Sequence, residues 1–333
     1  MFLQHQVIQI IMSAYSRPII LISKCLGFSS CRYDGQVVPS PLTDSLKPYV
    51  EFITVCPECG IGLGVPRKPI RIVLEIGEPG EKRILVQPAT GLDLTETMAG
   101  FTAAYLDKLV TVDGAILKSG SPSCGVKSTK VFSFAGSRDC LHRQGTGLFA
   151  EGLTGRFPYL PVVDEKQFAD PAMRDHFLTQ VFALASFRKV AGSGKMCKLV
   201  EYQTRNKLLL MAYNKEAMTR MGDIVANRRK RPFEKVAEDY EQCLREALSG
   251  QAGVGPVINV FMHAAGYFSD RLDSDEKALL EDRLLKYRRD SAVLGELKRL
   301  FISCAVRFNV EYLLHQTYFC PYPEELSGTL RQV

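Results

Sequence analysis

The sequence predicts an α/β fold: a mostly parallel, Rossmann-like sheet domain over residues 17–165, followed by an all-helical domain over residues 166–333. Three observations predict it. From Arg17 to Glu165, short β-branched apolar runs alternate with Gly/Pro punctuation and a few helical stretches. Three of those runs, Pro18 to Ile22, Phe52 to Val55 and Gly114 to Leu117, lead into turn-forming segments that each carry a cysteine. That is the pattern of buried strands whose ends hold a site. Beyond Pro161 and Pro171, apolar residues recur every three or four positions over long stretches, the period of amphipathic helices.

Residues 1–16 form an N-terminal extension. Its apolar stretch Val7 to Met12 lacks a basic leading segment and a small-residue cleavage site, so it is expected to be a loosely docked tail, not a secretory signal. Ile70 to Ile76 and Lys82 to Gln87 are further strands, joined as a hairpin around Glu78-Pro-Gly80. Thr95 is the expected cap of a helix over Glu96 to Leu109. Gly145-Thr-Gly147-Leu-Phe-Ala150 satisfies a loose G-x-G-x-x-A pattern at a helix start. Without an acidic residue in a clear βαβ context about 20 residues on, it predicts close helix packing and not a dinucleotide site. The helical domain is predicted as Ala172 to Val190, Leu199 to Tyr213, Lys215 to Ala226, Phe233 to Leu248, Val257 to Phe268 and Ser274 to Leu300, the last starting at Asp273 or Ser274.

No apolar run reaches the roughly 20 residues of a spanning helix, so a soluble, cytoplasmic protein is expected, with no membrane partner. The net charge of +6 is uneven: residues 1–165 carry 16 Lys and Arg against 15 Asp and Glu, leaving 26 against 21 for the rest. The excess sits in the helical half, in Arg228-Arg-Lys-Arg231 and Lys286-Tyr-Arg-Arg289. A polyanion can use such patches through its phosphates, and solvated helix faces are the alternative.

Ten cysteines are too few for a disulfide scaffold in 333 residues, and in a reducing compartment clustered thiols bind metal or react. Cys140, Cys197, Cys243 and Cys304 lack metal-ligand spacing and are expected to be packing or surface residues. Cys56-Pro-Glu-Cys59 is a C-x-x-C that fits a redox pair or half of a zinc site. Cys25, Cys31, Cys56 and Cys59 can be assembled into a zinc site, but their spacings match no standard ribbon or finger. The run Gly60-Ile-Gly62-Leu-Gly64 disfavours the helix that follows a thioredoxin-like motif.

Ser23-Lys-Cys-Leu-Gly27 with Arg32-Tyr-Asp-Gly35, Val55-Cys-Pro-Glu58 with Gly62-Leu-Gly-Val-Pro-Arg67, and Lys118-Ser-Gly-Ser-Pro-Ser-Cys-Gly125 closely resemble the thiouracil desulfurase (desulfidase) family over residues 17–165. The helical half resembles the companion domain fused behind it, through Asn206-Lys-Leu-Leu-Leu-Met211, Met262-His-Ala-Ala-Gly-Tyr-Phe268, Glu276-Lys277 and Tyr312-Leu-Leu-His-Gln-Thr-Tyr318 leading to Pro321-Tyr-Pro-Glu-Glu-Leu326. The fused arrangement resembles proteins that remove sulfur from 4-thiouridine in tRNA. His263 and His315 fit their motifs, whereas Gln203, Asn206 and Tyr213 stand where the family pattern has histidines.

The resemblance implies a [4Fe–4S] cluster held by Cys25, Cys56 and Cys124, with Cys31 and Cys59 as spare thiols. Three ligands leave one iron open to take a thiocarbonyl sulfur while water attacks the carbon. Glu58 and Ser121 are the expected catalytic residues, Glu58 as general acid/base. Lys118 and Ser123 are expected to bind substrate beside the cluster, with turn chemistry the alternative for both serines. Arg32, Asp34 and Arg67 are expected to close a salt-bridge network. Arg205, Lys207 and Arg229 are the expected phosphate contacts.

The implied function is desulfidation of 4-thiouridine in tRNA. Two alternatives stand beside it: desulfidation of a free thiolated nucleobase such as 2-thiouracil, and a non-enzymatic, metal-containing nucleic-acid-binding protein.

Overall fold

The structure is a computed structural model that describes residues 15–77, 80–137 and 139–327. The chain divides into an α/β unit, Arg17–Phe177, and a helical unit, Leu178–Glu324. The expected turn at Glu78-Pro79 and the extension over residues 1–14 lie outside the described residues.

In chain order the α/β unit contains β1 (Ile19–Ser23), α1 (Pro41–Leu46), β2 (Glu51–Val55), α2 (Pro57–Gly60), β3 (Arg71–Gly77), β4 (Gly80–Gln87), β5 (Leu92–Asp93), α3 (Thr95–Lys108), β6 (Gly114–Leu117), β7 (Thr129–Phe132), β8 (Cys140–Gly145), α4 (Leu148–Arg156), β9 (Val162–Asp164) and α5 (Glu165–Ala169). Its principal sheet has the order β2-β1-β6-β9, and every neighbouring pair is parallel. Ile20, Leu21, Ile22, Ala115, Ile116 and Leu117 are fully buried, as continuous apolar runs in a sheet covered on both faces must be.

The order reverses between β1 and β6. At such a switch point the chain leaves neighbouring strands in opposite directions, so their carboxyl ends frame a crevice. Cys25 follows β1, Cys56 follows β2 and the Ser119–Cys124 loop follows β6.

A second, mixed sheet of order β5-β4-β3-β7-β8 accompanies the first. The sequence marks β3 and β4, which pair antiparallel as expected of a hairpin. It does not mark their separation into another sheet, because β7 reaches β3 by non-local pairing. The expected cap also moves. Thr95 is the first residue of α3, and its hydroxyl instead accepts the Leu85 amide at 2.8 Å, while Asp93 Oδ1 accepts the Thr95 amide.

Helix α6 (Pro171–Ala191) contains the division between the units, and the helical unit continues with α7 (Met196–Arg205), α8 (Lys207–Tyr213), α9 (Lys215–Ala226), α10 (Phe233–Leu248), α11 (Val254–Ala265), α12 (Ser274–Arg289), α13 (Leu294–Arg307) and α14 (Glu311–Leu314). Two expected helices are each divided. Leu199 to Tyr213 breaks at Asn206, where Gln316 Oε1 accepts the Leu208 amide, Gln316 Nε2 donates to Thr204 O, and the Thr317 amide donates to Arg205 O. The Gln316-Thr317 segment thus satisfies the backbone groups that a helix break exposes. Ser274 to Leu300 breaks at Asp290, whose carboxylate accepts the Ala292 amide and turns the chain. Asp273 caps α12 reciprocally with Glu276. Among the described residues no helix is long and apolar enough to cross a membrane.

Candidate active site

The site is built on three strand ends. β1 delivers Cys25, β2 delivers Cys56 at the start of α2, and β6 delivers the loop that ends in Cys124. Cys124 and Ser123 are buried, whereas Cys25 and Cys56 are half-buried. The Cys25 thiol feels the charge of Cys56, and the Cys124 thiol that of both. Burial pushes the Cys25 thiol up to about 12, with Cys31 and Cys56 adding to it. Burial also pushes Cys124 well above the usual thiol range, and Cys25, Glu58 and Cys56 add to that. Cys56 is raised for the same first reason. Thiols that resist ionising in this way are stabilised as thiolates by a metal cation, which reverses the sign of the local field.

Cys31 and Cys59 complete a group of five. The Cys56 and Cys59 thiols both donate to Cys31 O, at 3.8 and 3.9 Å, and the Cys56 thiol is hydrogen-bonded to those of Cys31 and Cys59. Among the described residues no three His, Cys, Asp or Glu side chains converge closely enough to hold a single metal ion. A polynuclear cluster is wider than an ion and takes thiols set further apart.

The loop before Cys124 is held from two directions. Ser121 Oγ accepts the amides of Ser123 and Cys124 at 3.2 and 3.1 Å, an arrangement that fixes the turn. From the other side, the amides of Gly147, Leu148, Phe149 and Ala150 donate to the carbonyls of Gly125, Pro122 and, for the last two, Ser123. The amino end of α4 is therefore filled by the cysteine loop and offers no free amides to a dinucleotide phosphate. Gly147 is required by this approach, since a Cβ there would lie 2.4 Å from the Ser123 carbonyl. The Gly145–Ala150 pattern serves close packing, as the sequence predicts, but of the loop that carries Cys124.

Glu58 stands at the centre of the polar groups. Arg67 Nε and Nη2 both donate to its Oε2, at 2.9 and 2.5 Å, while the Ser121 and Ser123 hydroxyls approach Oε1 at 3.4 and 3.3 Å. The expected network of Arg32, Asp34 and Arg67 is therefore two separate pairs: Arg32 with Asp34 at 3.4 Å, and Arg67 with Glu58. Lys118 Nζ is held by Glu165 and by Ser119, and the Lys118 amide donates to Ser23 Oγ. Burial pushes the Glu165 carboxyl up, but hydrogen bonds from Lys118 and Ser119 outweigh it and hold it below the usual range. Lys118 thus forms an internal pair at the site's edge, and its expected contact with substrate has to compete with Glu165.

Ser23 and Glu165 are the site residues that sequence reasoning did not single out, and Arg67 pairs with Glu58 in place of the expected Arg32–Asp34 network. Ser23 is hydrogen-bonded to the Cys124 thiol and buried between β1 and β6. Its signal is its position, two residues before Cys25. A cavity of about 630 Å³ borders Cys31, Cys56 and Cys59, with Lys24, Phe101 and Tyr105 on its wall. Cys25, Cys124 and Glu58 are not among its lining residues. Phe101 packs directly on Gly60, where a Cβ would lie 2.2 Å from the ring.

The remaining expected contacts belong to the helical unit. Arg205 lies 3.8 Å from Glu201, Lys207 is exposed, and Arg228, Arg229 and Lys230 are exposed in one turn that Asn227 closes by bonding Arg231. Arg231 itself pairs with Asp239 at 2.5 Å.

Comparison with known proteins gives two family matches. Residues 20–165 match the 2-thiouracil desulfurase family, and residues 207–323 match a family of proteins of unknown function, DUF1722. The uncharacterized protein YbbK of Bacillus subtilis is 38% identical over 112 residues, which are 32% of this chain and 72% of YbbK. The uncharacterized protein YbgA of Escherichia coli is 28% identical over 156 residues, 46% of this chain and 92% of YbgA. Among solved structures, the [4Fe-4S]-dependent thiouracil desulfidase TudS is similar at 28% identity and a TM-score of 0.36, covering 45% of this chain and 93% of TudS.

Proposed function

Through residues 20–165 the chain belongs to the 2-thiouracil desulfurase family, and from that premise we propose that it is an iron–sulfur desulfidase of a free thiolated nucleobase such as 2-thiouracil. The observation that carries this reading is the convergence of Cys25, Cys56 and Cys124 with Glu58 at the carboxyl ends of three adjacent strands. The donor set fits a [4Fe–4S] cluster: three free thiols, Cys124 buried and Cys25 and Cys56 half-buried, one from each motif that resembles the family's. Bound there, the cluster supplies an iron with no protein ligand, a Lewis acid toward a thiocarbonyl sulfur.

The net change, C=S plus water to C=O plus hydrogen sulfide, moves both water protons to sulfur and transfers no electrons. A proton carrier is needed within reach of the water. Glu58 serves as that carrier through Oε1, the oxygen that Arg67 leaves unbonded. The Ser123 hydroxyl shares that oxygen and orients what binds there. Ser121 contributes mainly by holding the Cys124 loop, and its weak approach to Glu58 is secondary. Lys118 reaches substrate only by giving up part of its pairing with Glu165.

A second reading, desulfidation of 4-thiouridine within tRNA, draws on one feature of the helical unit. Arg228, Arg229 and Lys230 stand exposed together, and with Arg205 and Lys207 they suit phosphate contacts. Protein prepared without oxygen and given 2-thiouracil or thiolated tRNA separates the two. The expected result is uracil and sulfide from 2-thiouracil, with the 4-thiouridine content of tRNA unchanged. Loss of 4-thiouridine with 2-thiouracil untouched would replace the first reading by the second. An intact cluster with neither substrate consumed would sink both.

A further inference from the structure

Arg67 makes more contacts inside the site than any role as a simple counter-ion requires. Its side chain is only 6% exposed, and its guanidinium bonds four partners from two other stretches of chain and its own loop. Besides Glu58, Nη2 donates to Cys31 O at 3.0 Å, and Nη1 donates to Gly64 O at 3.2 Å and to Cys59 Sγ at 3.9 Å. Its amide donates to Tyr33 O at 2.8 Å. One residue therefore ties the Cys31 loop and the Cys56–Gly60 turn to the segment that follows.

The manner of the Glu58 contact is the informative part. Arginine and carboxylate commonly meet as a fork on a fork, with each oxygen taking one N–H. Here both N–H groups converge on Oε2, so Oε1 keeps only the two long hydroxyl approaches from Ser121 and Ser123. A water or a substrate N–H can displace contacts of 3.3 to 3.4 Å at little loss, because they are near the limit of a hydrogen bond. A lysine could neutralise Glu58 as a point charge, but it could not bond Oε2, Cys31 O and Gly64 O from one rigid plane.

We propose that Arg67 is the positioning residue of the site: its end-on grip on Oε2 fixes the Glu58 carboxylate so that Oε1 alone faces the reacting groups. This rests on the desulfidase reading for its kinetic consequence, but the geometric claim about Glu58 is separate from it. A carboxylate released from that grip samples other rotamers, and each lost orientation removes the oxygen from the line of proton transfer.

The test uses the anaerobically prepared holoprotein and its variants Arg67→Lys, Glu58→Gln and the double variant, with 2-thiouracil as substrate. Arg67→Lys is expected to keep its iron, sulfide and visible absorption, with kcat lowered at least roughly tenfold and KM changed less than about twofold, as for a lost transition-state interaction. Adding Arg67→Lys to Glu58→Gln should lower kcat no further, because the two residues act as one unit. Wild-type kcat in Arg67→Lys, a kcat that falls only in step with iron content, or effects that multiply in the double variant would each overturn the proposal. If the wild-type protein holds its cluster but leaves 2-thiouracil unchanged, the desulfidase reading fails on its own account. A crystal structure of Arg67→Lys then decides: Glu58 turned away from Ser121 and Ser123 supports the positioning role, and Glu58 unmoved contradicts it.

Discussion

Replacing Gly147 with alanine is expected to strip iron from the protein while both units stay folded. Gly147 has φ −67 and ψ 149, a backbone conformation that alanine adopts freely, so no strain of the glycine's own is at stake. The effect comes from what the new methyl meets. It would lie 2.4 Å from the carbonyl carbon and oxygen of Ser123 and 2.8 Å from the Cys124 amide nitrogen. A side chain could rotate away, but backbone can only move as a loop, and this loop carries Cys124, the proposed cluster ligand. Overpacking of this kind costs about 1–3 kcal/mol. Iron content after anaerobic reconstitution measures the outcome, with helical circular dichroism and thermal unfolding reporting the fold. Gly155→Ala is the control, because it lies in the same helix α4 with nothing within 4 Å. It should keep full iron and gain roughly 0.5–1 kcal/mol of stability. Equal iron in both variants would mean that the α4 contact does not hold the Cys124 loop.

Glu58→Gln is expected to leave the cluster in place and lower kcat by about 10²–10⁴-fold, the usual range for removal of a general acid/base. Glutamine keeps an acceptor oxygen for Arg67 and nearly the same shape, so the half-buried position stays filled. What it loses is the ability to take a proton from water and return it. Single-turnover kinetics with 2-thiouracil, normalised to iron, makes the measurement. A Glu58→Gln protein with wild-type kcat would move proton transfer to another group, and Lys118 with its partner Glu165 would be the next to replace.

The parallel sheet was legible because its strands are short continuous apolar runs ended by turn-forming residues, a local signal. Gly114 to Leu117 is observed with those bounds, and the runs before Cys25 and Cys56 extend by a residue at one end or shift by one. The second sheet was not legible, since β3 and β7 are joined by pairing between segments about 60 residues apart, which no local period encodes. The break at Asn206 has the same cause: its partners, Gln316 and Thr317, lie more than 100 residues away.

The candidate site follows the same division. The cysteines and Glu58 were found because their flanking motifs are compact in sequence. The residues that hold them escaped notice where the partner is distant. Lys118 takes its orientation from Glu165, 47 residues on, and Ser23 meets the Lys118 amide across 95 residues. Arg67 is legible as a charge but its partner is not: Glu58, nine residues back, is favoured over Asp34 because the α2 turn faces it. The Gly145–Ala150 pattern was correctly separated from a phosphate loop by the lack of an acidic partner, yet only the fold shows which loop fills it.

The central claim is that three cysteines hold a [4Fe–4S] cluster and that Cys31 and Cys59, though in contact with Cys56, do not. Iron and acid-labile sulfide per chain in anaerobically prepared protein, compared among the wild type, Cys124→Ser and the Cys31→Ser/Cys59→Ser double variant, tests it most directly. The account predicts about four iron and four sulfide in the wild type and in the double variant, and neither in Cys124→Ser. Zinc in place of iron, or a double variant as empty as Cys124→Ser, would contradict it.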